Sequence, residues 1–208
     1  MVSQTRAERH RDFERFLTFV DAIVAIAITL LVLPLVELTA GITGHDSVLH
    51  LLRDHQPELW SFLLSFVVIS RMWFSQHRAI RDVNLLDDRV AQGLVLWTLT
   101  IVFLPFPTSL VAKAGSQPTT QILYVGTVGL SMLALALVDR AVIAKPEIRA
   151  GATPPSVAPP IVNLAWLGVA LVVMLVFPAT SYVPLLLLLL DGPSLRVLRK
   201  LHGAVTPG

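Results

Sequence analysis

Apolar residues in this chain come in long, nearly unbroken runs, and polar residues gather in the short intervals between them. About twenty such residues cross a bilayer as a helix, so the pattern predicts an all-α, polytopic membrane protein. The runs place six spans at about 13–38, 57–80, 90–112, 119–144, 160–176 and 182–190, the last short for a full crossing. Residues 1–12 are polar and basic and are expected at the membrane surface. They carry too much charge ahead of the first run for a cleavable leader, so the first helix is expected to be retained. The polar interval from Thr39 to Gln56 leaves the membrane, and VLHLLRD within it predicts a short surface helix. Pro57 suits the first turn of the second span. Pro105 and Pro107 remove amide donors late in the third span and predict a kink or break there. ATPPSVAPP, from Ala152 to Pro160, is an extended connector.

Charge adds the orientation. Arg6, Arg9, Arg11, Arg15, Arg78, Arg81, Arg89, Arg140, Lys145, Arg149, Arg196, Arg199 and Lys200 fall on one side of the six spans, against Arg53 and Lys113 on the other. By the positive-inside rule both termini are cytoplasmic, which requires an even number of spans. With 54% hydrophobic residues, 14% charged residues and a mean hydropathy of +0.72, the chain is too apolar for a soluble domain of its length. Its net charge of +2 is spread over loops and gives no continuous face for nucleic acid. There is no cysteine, which excludes disulfides, thiolate metal sites and cysteine nucleophiles.

Within the first run stands one acid, Asp21. A carboxylate among Ile, Leu, Val and Ala costs several kcal/mol, at least ~2.5 on insertion scales, unless it is paired or faces water. Eight residues into an outward-running helix, it lies within a few Å of the depth of Arg71 on the inward-running second span. Two readings follow. In the structural one Asp21 accepts hydrogen bonds from Arg71, His77, Trp73 or Arg15 and locks the first two helices together. In the other it faces water and attracts cations or relays protons. On the same helix Ile26, Leu30 and Leu33 share one stripe at i, i+4 and i+7, with Thr29 beside it. Pro34 cannot donate to the carbonyl of Leu30, which leaves an acceptor free nearby.

Other signals are weaker. His45, His50 and His55 are five apart, the wrong spacing for one helical face, so no metal site is expected there. Thr127-Val128-Gly129 echoes a potassium filter but continues into an apolar run, so Gly126 and Gly129 are read as helix-packing positions. No phosphate loop, nucleophile elbow, zinc protease motif or dinucleotide fingerprint is present, and the chain is not read as an enzyme.

Arg15-xxx-Phe19-Val20-Asp21, followed by Ala22, Ala25 and Thr29, resembles the first-helix signature of the transmembrane protein 175 family, endosomal and lysosomal potassium channels with prokaryotic relatives. Val20 stands where that family usually has Ser. Trp73-Phe74-Ser75-Gln76-His77-Arg78 is similar to the family's Trp-xx-His-His-Arg ending, and Pro105-Phe106-Pro107-Thr108 to its Pro-Phe-x-Thr element. The resemblance implies a homotetramer around a central pore lined by the first helix, in a prokaryotic cell membrane, with Ile26, Leu30 and Leu33 as the hydrophobic constriction and Thr29 beside the ion path. It implies a signature network of Arg15, Phe19, Asp21, Arg71, Trp73 and His77. It also implies one six-helix domain over residues 1–208, passive potassium-preferring cation conduction, no cofactor, and the lipid bilayer, monovalent cations and copies of itself as partners. The rival expectations are a proton-coupled secondary transporter using Asp21 or His77, and a membrane-embedded enzyme.

Overall fold

A computed structural model describes residues 6–39, 48–85, 87–114, 117–149, 167 and 169. The described residues form helices α1 (Arg6–Leu30), α2 (Leu33–Leu38), α3 (Val48–Asp54), α4 (Gln56–Ile80), α5 (Asp88–Phe103), α6 (Pro105–Ala114) and α7 (Pro118–Ala144), then a 3-10 turn at Pro146–Ile148. Four stretches are long and apolar enough to cross a membrane: Ala7–Leu38, Gln56–Ile80, Asp88–Ala114 and Pro118–Ala144. These correspond to the first four expected spans. Of the fifth expected span only residues 167 and 169 are described, and the sixth lies outside the described residues.

Proline sets most of the helix boundaries. It occupies the first turn of α2, α4 and α7, where its missing amide is no loss. The expected break in the third span falls at Leu104, between α5 and α6, just ahead of Pro105. The first span also breaks, because Pro34 offers no amide to Leu30. The chain tightens there into i→i−3 bonds, Leu31 N to Ile28 O at 3.3 Å and Val32 N to Thr29 O at 3.2 Å, before α2 resumes. The surface helix expected at VLHLLRD is α3. One boundary differs by more than a turn: α1 starts at Arg6, well before residue 13. Its first turn carries Glu8 against the helix dipole, and His10 lies 3.4 Å from Glu14 at i, i+4, so the polar segment is helical without being apolar.

The packing centre is the pair α5 and α7. Gly93 permits the close approach: a Cβ there would lie 2.6 Å from Cγ2 of Val138, so a larger residue requires that side chain or its helix to shift. The glycines singled out in α7 behave differently. Gly129 does approach a neighbour, Leu167, but Gly126 meets nothing within 4 Å among the described residues, and the whole Thr-Val-Gly stretch is helical. Trp97, Ile101, Leu104, Tyr124 and Val128 fill the centre of the bundle and Val90, Leu94, Val138 and Val142 one end of it.

At that end three loop segments are tied together. Asn84 N donates to Ile148 O at 2.8 Å, Val83 bridges Arg149, and Lys145 pairs with Asp87, which also caps α5 by accepting from Arg89 N at 3.1 Å. Burial raises the pKa of Asp87, but the hydrogen bond and charge of Lys145 and the amides of Arg89 and Val90 outweigh it and hold the carboxyl below its ordinary value of 3.8. A lowered folded-state pKa contributes stability that is complete above the ordinary value and lost as pH falls through the folded one. Lys145→Ala should therefore lower Tm at pH 7 by about 2–4 °C, for about 1 kcal/mol lost. It should also move the acid-denaturation midpoint to higher pH. A pH series of thermal melts on parent and variant reads both, and an unmoved acid midpoint refutes the pairing.

Candidate functional site

The two faces of α1 have opposite fates. Phe13, Val20, Val24, Ala27 and Leu31 are buried against the bundle. Ile26, Leu30 and Leu33 are 59%, 44% and 51% exposed, on the outward side with Phe19 and Thr29. The first span is also the least enclosed, with 22% of its most apolar window buried against 61% for α7. An apolar helix at the periphery of one subunit must be covered by lipid or by another protein surface.

Thr29 stands beside this stripe on the outward side. Its hydroxyl donates to the carbonyl of Ile26 at 2.8 Å, which leaves the oxygen lone pairs free. The next turn holds the Leu30 carbonyl that Pro34 deprives of an amide.

Asp21 sits about two turns before Thr29, at the junction with α4. Trp73 Nε1 donates to its Oδ1 at 2.9 Å, and Nε2 of His77 lies 3.9 Å from Oδ2. Trp73 and His77 are one helical turn apart, with ring centroids at 4.3 Å, and Nδ1 of His77 reaches the carbonyl of Trp73 at 3.2 Å. A ring nitrogen facing a carbonyl must carry the proton, so only the doubly protonated ring also turns an N–H toward Asp21. The structure thus brings together Asp21, Trp73 and His77 of the expected network. Arg71 is half-buried on α4, while Arg15 and Phe19 lie on the exposed side of α1.

Around the base of α1 and the end of α4 runs a groove of about 510 Å³, lined by Phe13, Leu17, Phe74, Ile80, Arg78 and Arg81, among others. The polar atoms of Gln76, on its inner wall, have no hydrogen-bond partner among the described residues.

Sequence reading missed one buried polar cluster. Ser65 Oγ on α4 lies 2.8 Å from Thr108 Oγ1 on α6 and 3.0 Å from the Tyr124 hydroxyl on α7, while Thr108 donates to Leu104 O across the α5–α6 break. Each residue alone is ordinary in a membrane helix, and only their meeting makes a three-helix joint. The loop histidines that are described are locally paired, His50 Nδ1 with Asp54 at 2.7 Å and His55 Nδ1 with Glu58 at 3.6 Å. Among the described residues no group of three or more metal-ligating side chains occurs.

Residues 15–105 match the family described as endosomal/lysosomal potassium channel TMEM175. This segment belongs to the TMEM175 family. It begins at Arg15 of the first-helix signature and ends at Pro105, so it takes in the Asp21–Trp73–His77 junction, the outward stripe and α5. Among relatives, a potassium channel of Streptomyces collinus is 28% identical over 59% of this chain and 59% of its own length. A potassium channel of Chamaesiphon minutus is 32% identical over 52% of this chain and 53% of its own. The chain therefore spans a little over half the length of the curated relatives it matches. Those TMEM175 relatives are channels rather than enzymes. In fold, the chain is similar to the crystal structure of a lysosomal potassium-selective channel TMEM175 homolog from Chamaesiphon minutus. The TM-score is 0.60 with 23% sequence identity, covering 88% of this chain and 98% of that one.

Proposed function

We propose that this chain is the subunit of a potassium-preferring cation channel that conducts passively, assembled as a homotetramer with α1 of each copy lining a central pore. The observation that carries the reading is the outward apolar stripe of Ile26 and Leu30 on α1 and Leu33 at the start of α2, with Thr29 beside it, on the span that opens the TMEM175 segment. One subunit leaves that stripe uncovered, and fourfold assembly would close it into a narrow apolar ring that gates by dewetting. Potassium is the permeant, and no cofactor takes part. In this reading the full chain is one six-helix membrane domain in a prokaryotic cell membrane, with both termini cytoplasmic, as the distribution of Lys and Arg favours. Of the signature residues Arg15, Phe19, Asp21, Arg71, Trp73 and His77, the junction of Asp21 with Trp73 and His77 would hold α1 against α4 so that the stripe faces the axis.

The test is flux through purified protein in liposomes, beside its mass in mild detergent. A tetramer passing potassium faster than sodium without any counter-ion supports the proposal. A monodisperse monomer that is active, or flux that stops without an opposing proton gradient, overturns it.

A further inference from the structure

The groove between the base of α1 and the end of α4 has the lining of an amphiphile site. Phe13, Leu17 and Phe74 make an apolar wall, and Phe74, 58% exposed, leaves its edge open toward the side of the bundle. Arg78 and Arg81 stand at the other side, where α4 ends and the membrane-length run stops. Two acids also line it, but each already faces a histidine, Glu14 with His10 at 3.4 Å and Asp21 with His77 at 3.9 Å. The arginines are less committed. Arg78 donates to the neutral hydroxyl of Ser75 at 2.9 Å, and Arg81 has, among the described residues, the exposed Asp82 carboxylate at 3.8 Å.

We propose that this groove seats an anionic phospholipid, its phosphate held by Arg78 and Arg81 and the start of an acyl chain laid along Leu17 and Phe74. Three properties select that occupant. Guanidinium groups bind phosphate with several donors at once, which an ammonium cannot match. The pair lies at the level where a spanning helix leaves the hydrocarbon, which is where lipid phosphates lie. The apolar wall continues from the charged pair into the membrane-spanning part of α4, so head and tail of one molecule meet matching surface. A volume of about 510 Å³ accommodates a glycerophosphate head with part of a chain. The proposal needs these helices to span a membrane but does not need the protein to conduct.

The experiment uses full-length protein purified in mild detergent. Native mass spectrometry counts retained lipid, and thermal melts are recorded with phosphatidylglycerol, phosphatidylcholine or inorganic phosphate added. Phosphatidylglycerol should be retained in preference to phosphatidylcholine and should raise Tm. Arg78→Gln with Arg81→Gln should weaken its retention about thirtyfold, given about 1 kcal/mol for each of the two basic residues near a lipid surface. Arg140→Gln, an exposed site on α7 outside the groove, should change nothing. Phe74→Ser should fold, because that ring is already exposed, and should also weaken retention; this variant decides the matter if the double arginine change does not fold. Equal retention of the two lipids, equal loss in Arg140→Gln, parent-level retention in Phe74→Ser, or the same Tm rise from inorganic phosphate alone each overturns the proposal.

Discussion

Asp21→Leu should lower the melting temperature of the purified protein by about 4–8 °C, and Trp73→Phe by a comparable amount, while the double change costs clearly less than the two together. The indole N–H of Trp73 donates to Asp21 Oδ1 at 2.9 Å. A hydrogen bond to a charged acceptor contributes about 1.5–3 kcal/mol, and a buried donor left without a partner costs a similar amount. Asp21 is 40% exposed in the single subunit, so the lower end of that range applies. At about 2–4 °C per kcal/mol for a chain of this size, about 2 kcal/mol gives the stated shift. Asp21→Asn sharpens the test, because an amide oxygen still accepts from Trp73 while the charge facing His77 is gone. It should melt within about 2 °C of the parent if the Trp73 bond dominates. Additive losses in the Asp21→Leu, Trp73→Phe cycle would show that the two residues do not act as a pair. Normal melting with altered flux in Asp21→Asn would assign the carboxylate an ion-attracting role instead.

How far the sequence could anticipate this junction follows from helix geometry. Depth along the membrane normal is readable from residue counts, and it placed Asp21 level with Arg71 on the second span. Azimuth is not readable in the same way, since each residue turns the helix by about 100°. Trp73 and His77, four apart, share the face of α4 that meets Asp21, and the indole N–H on that face donates to the carboxylate. Trp73 is among the four donors expected for Asp21, and an indole N–H is a good donor at a membrane helix contact.

The rest of the fold divides along the same line. Long apolar runs made α4 and α7 legible to within a residue, and Pro105 marked the break that occurs in the third span, whereas at Pro34 only a free Leu30 carbonyl is expected and the helix breaks there as well. Features that depend on which residues meet were not legible. Gly93 sits in α5 without any motif around it, yet Val138 from α7 comes to 2.6 Å of where its Cβ would be. Ser65, Thr108 and Tyr124 are separated by 43 and 59 positions in sequence and are joined only by the packing of α4, α6 and α7. Helix start was misjudged at α1 for a different reason. Apolarity marks where a helix enters the membrane, not where it begins, and local charge pairs such as His10–Glu14 extend it into water.

Leu30→Asn should raise cation flux through the assembled protein on the order of tenfold, which corresponds to lowering the barrier by about 1.4 kcal/mol. Leu30 is 44% exposed on the outward face of α1, flanked by Ile26 at 59% and Leu33 at 51%, while its neighbour Leu31 is buried in the bundle at 2%. Within a closed ring, four apolar side chains exclude water, and a hydrated cation must shed part of its shell to pass. Four amides in their place hold water across the gap. The same substitution on a lipid-facing surface would leave permeation unchanged, and on a packed surface it would mainly lower Tm, so flux and melting together identify the surroundings of this residue. Leu31→Asn is the internal control, since it should destabilise the bundle without widening a pore. Thr29→Val tests a different property of the same turn. Its hydroxyl proton is committed to Ile26 O at 2.8 Å, so what it offers an ion is an oxygen, and valine removes that oxygen at almost constant volume. Total flux should change little, whereas the preference for potassium over sodium should fall about twofold to fivefold, the scale of ~0.5–1 kcal/mol in relative site energy. Liposome flux for both ions in parent, Leu30→Asn, Leu31→Asn and Thr29→Val is the measurement. If Leu30→Asn and Thr29→Val fold, conduct and select like the parent, α1 does not line the pore and the arrangement proposed for the tetramer is wrong.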